Sequence, residues 1–225
     1  NTTGKCNVGI GYGALANNTT AECNVGIGAN SLEVNTTGAN NTSLGFNSLQ
    51  ANTTSGGNTA VGAQSLQVNT TGGSNTSVGA RSLCSNTTGY DNVALGQCVL
   101  KVNTTGLRNV AVGRLALNDN TTGFTNTALG YNAGSNVTTG SNLTLIGQSA
   151  QPSSATATNE ITLGNTNVTT VRMGNGDVIY PSTGGAGAVV AYIMFSGSNN
   201  SVQSTANVSS VNDNGTGEYI INFTT

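Results

Sequence analysis

The 225-residue sequence has no histidine, no tryptophan and few charged residues. Asp, Glu, Lys and Arg make up only 6% of it, whereas about 25% is usual in globular proteins. The absence of His removes the commonest general base and metal ligand. The carboxylates are scattered, without the close pair that glycosidic hydrolysis needs. We therefore predict that the protein is not an enzyme and has no metal or cofactor.

Charge of either sign is equally scarce. Six Lys and Arg against eight Asp and Glu give a net charge of -2 and no basic stripe, so we predict no nucleic-acid partner. No apolar run reaches the roughly 18 residues of a membrane-spanning helix, so we expect no membrane insertion of this segment. Asn, Thr, Ser and Gly dominate, but apolar residues recur at regular positions, which disordered chains lack.

What the sequence does contain is a 17-residue repeat, clearest at 103–119, which recurs without insertion or deletion over residues 1–148. We number each copy 1 to 17 from its leading Asn. In the first eight copies position 1 is Asn followed by Thr-Thr and position 7 is Asn, and the ninth copy, which begins at Val137, is degraded. Position 10 is Ile, Val or Leu throughout, and position 15 is usually Leu. A fixed period of this kind indicates stacked structural repeats. Position 11 is always glycine, namely Gly11, Gly28, Gly45, Gly62, Gly79, Gly96, Gly113, Gly130 and Gly147.

Each column of the repeat suggests a local structure. Positions 7–10 alternate like a short strand, with positions 8 and 10 on one face and a small position 9 on the other. Positions 13–16 suit a second strand, Asn-Thr-Thr-Gly suits a return turn, and Gly at position 11 suits a corner with positive φ. A helical repeat is disfavoured by its glycines and β-branched residues. We predict an all-β parallel solenoid, or β-roll, of about nine 17-residue coils with stacked Asn ladders.

The predicted core is thin, because each coil offers few large apolar side chains to offset the entropy lost on ordering seventeen residues. The small residues at position 9 would let neighbouring solenoids approach closely. We therefore expect a homo-oligomer, with a trimer as the preferred state.

Breaks in the period divide the chain. Pro152 and the polar run 153–158 interrupt the repeat, and Pro181 precedes a Gly-rich run. We expect a roll over residues 1–150, a β-rich neck over 151–181, a hinge over 182–188, and a partial β-sandwich-like module over 189–225. Residues 213–217 are typical of a hairpin turn in that module. We expect the sequence to be a segment of a longer chain.

Two cysteines occupy position 6 of adjacent coils. Stacking would place the Cα atoms of Cys6 and Cys23 about 4.8 Å apart, within disulfide range. The alternative is two free thiols. Cys84 and Cys98 lie in different columns, so we expect both to be free.

The repeat resembles those of known fibrous proteins. Asn109-Val110-Ala111-Val112-Gly113, followed by Ala116-Leu117, is similar to the left-handed parallel β-roll repeat in the heads of trimeric autotransporter adhesins. The fuller phrase from Asn-Thr-Thr-Gly onwards resembles repeats of bacteriophage tail-fibre and tail-spike proteins. Residues 159–165 and 168–174 resemble a phrase that follows such rolls, and 208–224 resemble a small β-module near phage-fibre tips.

The resemblance implies a structural and adhesive segment of a trimeric phage tail fibre, located on the virion tail, that attaches the particle to its host. The implied partners are the chain itself as a homotrimer, a host cell-surface glycan or protein receptor, and other virion tail proteins. One alternative is the head of a bacterial trimeric surface adhesin. Another, from a different class, is an ice- or surface-binding solenoid. The sequence does not identify the host, the receptor or the receptor-binding residues.

Two further features have open interpretations. Each Asn-Thr-Thr is an N-glycosylation sequon, which would carry glycans in a eukaryotic secretory pathway, although turn geometry alone also explains it. The aromatic residues at positions 5 and 12 could stack on sugars or fill gaps near corners or between chains. The sequons concerned are Asn35, Asn52, Asn69, Asn86, Asn103 and Asn120, and the aromatic residues are Tyr12, Phe46, Tyr90, Phe124 and Tyr131.

Overall fold

A computed structural model describes residues 2–168 and six further strands, and all the secondary structure it describes is β. The chain divides into two units, Asn1–Asn167 and Val168–Thr225. The strands beyond the first unit lie at 171–172, 178–179, 193–195, 202–205, 208–213 and 219–223. The predicted all-β class is confirmed.

The first unit is a parallel β-solenoid with one three-residue strand in each coil. Ten strands pair in chain order in one sheet, and each residue pairs with the residue seventeen positions later, as Val8 does with Val25. The predicted solenoid of 17-residue coils is therefore confirmed. The strands are β1 Val8–Ile10, β2 Val25–Ile27, β3 Thr42–Leu44, β4 Thr59–Val61, β5 Thr76–Val78, β6 Val93–Leu95, β7 Val110–Val112, β8 Thr127–Leu129, β9 Thr144–Ile146 and β10 Ile161–Leu163.

The solenoid extends one coil beyond the boundary expected at residue 150. Strand β10 pairs in parallel with β9, and the amide of Gly164 donates to the carbonyl of Ile146 at 2.6 Å. Asn159 has φ 60°, the conformation that position 6 adopts in earlier coils. The first part of the predicted neck is therefore a tenth coil. Pro152 does not end the solenoid, because backbone hydrogen bonds continue the stacking after the side-chain pattern changes.

Positions 13–16 form turns, so the prediction of a second strand there is wrong. In coil 6, Cys98 and Leu100 have φ 56° and 47°, in the left-handed region. The chain must reverse within a few residues to close each coil, and extended backbone cannot do so. Adjacent coils still bond to one another here, as the amide of Leu83 donates to the carbonyl of Val99 at 2.9 Å.

The apolar core lies inside the coil, between the strand and the turn that carries the position-15 leucine. Ala60, Ala94 and Ala111 at position 9 are fully buried, so the expectation that this column faces a neighbouring solenoid is wrong. A Cβ on Gly26 would lie 3.2 Å from Cγ of Leu15, which shows why position 9 must be small. The fully buried leucines of position 15 are Leu32, Leu49, Leu66, Leu83, Leu100 and Leu117.

The predicted asparagine ladders are present in two buried columns. At position 1, Nδ2 of Asn86 donates to Oδ1 of Asn69 at 2.8 Å and to the carbonyl of Gly89 at 2.9 Å. At position 7, the backbone amide of Asn92 donates to Oδ1 of Asn75 at 3.0 Å. Buried turn carbonyls have no access to water, so the Asn amides supply the partners that the fold requires.

Replacing one ladder residue should destabilise the solenoid. The Asn86→Ala change removes two donated bonds and the bond that Oδ1 of Asn86 accepts from Asn103. We expect a loss of about 3 kcal/mol in the free energy of unfolding, measured by chemical denaturation, because buried polar partners are left unsatisfied. Thr88→Ala, at an exposed site in the same coil, is the control and should be nearly neutral. Equal effects of the two changes would contradict the structural role of the ladder.

The ladders end at coil 9, where apolar residues replace both asparagines. Val137 and Leu143 are buried at positions 1 and 7, and Oδ1 of Asn120 consequently has no partner. Leu145 fills the space left by Gly134, since a Cβ on that glycine would lie 2.7 Å from Cδ1 of Leu145. Coil 9 therefore exchanges a polar interior for an apolar one near the end of the solenoid.

The strands described in the second unit form three two-stranded antiparallel sheets. Strand β11 Val171–Arg172 pairs with β12 Val178–Ile179, β13 Ile193–Phe195 with β14 Val202–Thr205, and β15 Val208–Asp213 with β16 Tyr219–Phe223. The last pair agrees with the predicted hairpin. Its turn at 214–217 and the predicted hinge at 182–188 lie outside the described residues.

Candidate binding surfaces of the solenoid

The outer face of the sheet carries a continuous line of aliphatic side chains. Positions 8 and 10 flank the buried position 9, and strands alternate their faces, so both point outwards. Position 10 is aliphatic in every coil and is buried in none. We call it the position-10 stripe: Ile10, Ile27, Leu44, Val61, Val78, Leu95, Val112, Leu129, Ile146 and Leu163. Contiguous exposed apolar surface on a protein marks an interaction site.

Position 8 borders this stripe with β-branched residues only. Position 8 holds valines such as Val93, threonines such as Thr59, and Ile161, and no charged residue occurs at position 8 or 10 in any of the ten coils. An exposed sheet face normally carries polar and charged residues that keep it in water. The outer face of this sheet therefore has the uncharged composition of a surface that packs against a partner.

A column of exposed threonines lies elsewhere on the coil. Position 3 is exposed in nine successive coils, at Thr3, Thr20, Thr37, Thr54, Thr71, Thr88, Thr105, Thr122 and Thr139. The neighbouring position-2 hydroxyls are used within the fold, because Oγ1 of Thr70 donates to the carbonyl of Thr87 at 3.1 Å and other coils repeat this bond. The exposed hydroxyl surface is therefore one column wide.

Coils 6 to 8 carry an aromatic patch at positions 5 and 6, which we define as Tyr90, Asp91, Leu107, Arg108 and Phe124. Cζ of Arg108 lies 5.6 Å from the ring centroid of Tyr90, and its Nε lies 3.8 Å from Oδ2 of Asp91. Tyr90 and Phe124 are 39% and 50% exposed. The preceding coils 3 to 5 hold small or uncharged residues at these positions, namely Ala39, Asn40, Gly56, Gly57, Gly73 and Ser74.

A second arginine–tyrosine pair lies at position 12. Cζ of Arg114 is 5.9 Å from the ring centroid of Tyr131, and Nε of Arg114 donates to Oε1 of Gln97 at 3.2 Å. Tyr12 and Phe46, in the same column, are also exposed. Within a single chain these aromatic side chains lie on the surface rather than filling gaps in the fold.

The four cysteines all lie within residues 2–168, and all are free thiols there. The Cys6–Cys23 bridge that the spacing permits is not formed. Both residues are exposed and have nearly equal φ values of 57° and 58°. Equal backbone conformations direct stacked side chains in parallel, whereas a disulfide needs the two Cβ atoms to approach each other.

The glycosylation sequons are incompatible with the folded solenoid. All six predicted acceptor asparagines are fully buried, and their Nδ2 atoms donate within the position-1 ladder, as for Asn52 and Asn103. A glycan on Nδ2 would replace one of its two hydrogens, so at least one of those bonds would be lost, and the sugar would have no room inside the coil. The folded protein therefore offers none of these amides for modification.

Expression through a eukaryotic secretory pathway should reveal this conflict. We expect chains that acquire glycans at these sequons to lack the protease-resistant solenoid that bacterially produced chains form, as measured by intact mass and limited proteolysis. Replacing six exposed position-3 threonines with alanine removes these six sequons without touching the ladder, and should reduce the number of attached glycans and raise protease resistance. Fully glycosylated, protease-resistant chains would refute this account. The six threonines are Thr37, Thr54, Thr71, Thr88, Thr105 and Thr122.

The invariant glycines of position 11 have a structural role. All nine have φ between 117° and 142°, a region that disfavours other residues. A Cβ on Gly79 would lie 2.3 Å from the carbonyl oxygen of Gly96 in the next coil. These positions are closed to any side chain, as predicted for a corner where backbones approach.

Near the end of the solenoid, Glu160 is bonded to Ser153. The Ser153 hydroxyl and backbone amide both donate to its carboxylate, and these bonds lower the pKa of Glu160 below its usual value. Among the described residues, no group of three or more His, Cys, Asp or Glu side chains is placed to hold a metal ion. The described part also contains no helix of the length and hydrophobicity needed to cross a membrane.

Comparison of the chain with protein-family models, curated proteins and solved structures found no match.

Proposed function

We propose that this chain is a segment of a homotrimeric phage tail fibre that attaches the virion to the host cell surface. The observation that carries the proposal is the position-10 stripe, which is aliphatic and unburied in ten successive coils. At one strand spacing per coil it runs about 43 Å from first to last residue. A stripe of this length needs a partner with the same repeat, and another copy of the chain has it.

Closed symmetry explains why three copies suit this surface. Each solenoid has one such face, and three solenoids around a common axis cover all three faces without leaving an open interface for further growth. The interface also adds apolar burial to a coil whose own interior holds about one leucine and several small residues. The oligomer proposal thus rests on the outward positions 8 and 10.

Attachment is supported by the way in which the surface varies. The interior columns repeat closely from coil to coil, whereas positions 5, 6 and 12 vary. In coils 6 to 8 most of the residues at these three positions are aromatic or charged. Interaction sites on a rigid scaffold are expected at variable surface positions of this kind. The proposed partners are therefore the chain itself, a host surface receptor and other tail proteins.

The mass of the chain in solution, measured by light scattering, is the first test. We expect three times the chain mass of 22.4 kDa, and we expect the labelled protein to bind whole cells of a susceptible bacterium. A stable monomer would contradict the trimer. A trimer that binds no strain in a broad bacterial panel would contradict attachment.

The threonine column favours a second candidate, an ice-binding solenoid. Nine exposed threonines at one-coil spacing form a regular hydroxyl array. The array is only one column wide, because the position-2 hydroxyls are bonded within the fold. Inhibition of ice recrystallisation at micromolar protein, lost when position-3 threonines are replaced by lysine, would favour this candidate over the fibre.

A further inference from the structure

We propose that the aromatic patch of coils 6 to 8 binds an uncharged glycan chain that lies along the solenoid axis. The inference rests on the proposed attachment function and names the ligand class and the residues through which attachment occurs.

The aromatic side chains of the patch are not needed by the fold. Coils 4 and 5 hold Gly56 and Gly73 at position 5, yet their strands pair in the same register as those of coils 6 to 8. Gly57 and Arg108, both at position 6, have similar φ values of 72° and 55°. Tyr90 and Phe124 still leave 39% and 50% of their surface open to solvent, and this apolar surface is available to a ligand.

The patch is an open ledge that follows the solenoid axis. Tyr90, Leu107 and Phe124 occupy one column on consecutive coils, so the two rings are two strand spacings, about 9.6 Å, apart. Small ligands are usually bound in concave pockets that bury most of their surface. A ledge with two separated rings instead suits an extended polymer that lays successive apolar faces against them.

The polar groups beside the rings suit hydroxyl groups. Arg108 provides a planar set of donors and Asp91 provides acceptors, and both side chains are about half exposed, at 59% and 48%. Their charges cancel, so the patch lacks the positive excess that phosphate or sulfate groups would need. The aromatic rings can pack against the apolar faces of sugars, and the adjacent donors and acceptors can bind sugar hydroxyls. This combination matches an uncharged glycan.

A folded protein partner fits this patch less well. A stable protein interface buries about 800 Å² on each side, whereas the patch covers two columns over three coils, about 10 Å along the axis. A glycan chain can bind through two or three sugar units and gain strength from the three copies of the patch in a trimer.

The test is binding of the labelled chain to an array of neutral glucans, mannans, galactans and chito-oligosaccharides, with sulfated glycans alongside. We expect binding to at least one neutral glycan, with affinity reduced about tenfold or more in the Tyr90→Ala/Phe124→Ala variant, since aromatic contacts contribute about 1 kcal/mol each. The matched control is Tyr12→Ala/Phe46→Ala, which removes two exposed aromatic residues of position 12 and should change affinity less than twofold.

Three outcomes would overturn the inference: no binding to any glycan of the array, binding to sulfated glycans only, or equal loss in the two double variants. Light scattering and cell binding on the same samples separate this inference from the proposed function. A wild-type trimer that binds cells but no array glycan refutes the glycan patch alone. A wild-type chain that is monomeric or binds no cells refutes the fibre proposal itself.

Discussion

Gly79→Ala is expected to lower the free energy of unfolding by about 4 kcal/mol. Gly79 has φ 134°, and a Cβ there would lie 2.3 Å from the carbonyl oxygen of Gly96. Strain in this φ region costs about 1–3 kcal/mol, and forced overpacking adds a similar amount. The neighbouring coil cannot yield easily, because the amide of Gly96 is itself bonded to Val78 at 2.7 Å.

Gly73→Ala in the same coil is the matched control. A Cβ on Gly73 meets only the carbonyl oxygen of Gly56, at 3.2 Å, and the same column already holds alanine at Ala39. We expect this variant to be within about 0.5 kcal/mol of wild type. Denaturation monitored by circular dichroism, with hydrogen exchange to locate the opened coils, measures both. Similar losses for the two variants would show that position 11 has no special constraint.

The fold was predictable because the solenoid places chemically equivalent residues on top of one another. Asn69 and Asn86 could be assigned to a ladder from the period alone, as stacking leaves each amide beside the next. The tenth coil was not predictable in the same way. Leu163 and Gly164 keep positions 10 and 11 of the repeat, but the polar run 153–158 replaces the Asn-Thr-Thr turn. The continuity of the coil therefore shows mainly in backbone bonds such as the one between Gly164 and Ile146.

Which face of each strand points into the coil was harder to predict from the sequence. Alternation at positions 8, 9 and 10 shows that two faces exist but not which of them is inside, because aliphatic residues suit either a core or an interface. The deciding signal is volume. Leu15 must fit inside the coil opposite position 9, and the 3.2 Å between its Cγ and a Cβ on Gly26 leaves no room there for a valine or leucine.

The aromatic patch was visible only in part. Tyr90 and Phe124 stood out as departures from the repeat, but the contact between Tyr90 and Arg108 joins residues eighteen apart. In a solenoid of period seventeen such residues are diagonal neighbours on adjacent coils. The 17-residue period therefore predicts that Tyr90 and Arg108 are neighbours. With position 6 placed on the surface, the patch could have been predicted from the sequence.

Placing charge on the position-10 stripe is expected to convert the proposed trimer to monomers. The variant carries glutamate in place of Leu44, Val78 and Leu129, which are 45%, 38% and 48% exposed in the single chain. In a trimer packed through this stripe, nine carboxylates would be buried near one axis without partners. Each would cost several kcal/mol, more than apolar contacts can offset. Light scattering should then give one chain mass of 22.4 kDa in place of three.

The chain supplies a matched control on the same three coils. Glutamates in place of Thr37, Thr71 and Thr122 add identical charge to exposed sites of the threonine column, away from the stripe. If net charge alone opposed association, both triple variants would dissociate. If the stripe is the interface, only the variant with glutamates on the stripe dissociates, because a carboxylate at position 3 keeps its hydration. A stripe variant that remains trimeric would mean that the chains meet through another face, and that the uncharged sheet surface needs a different partner.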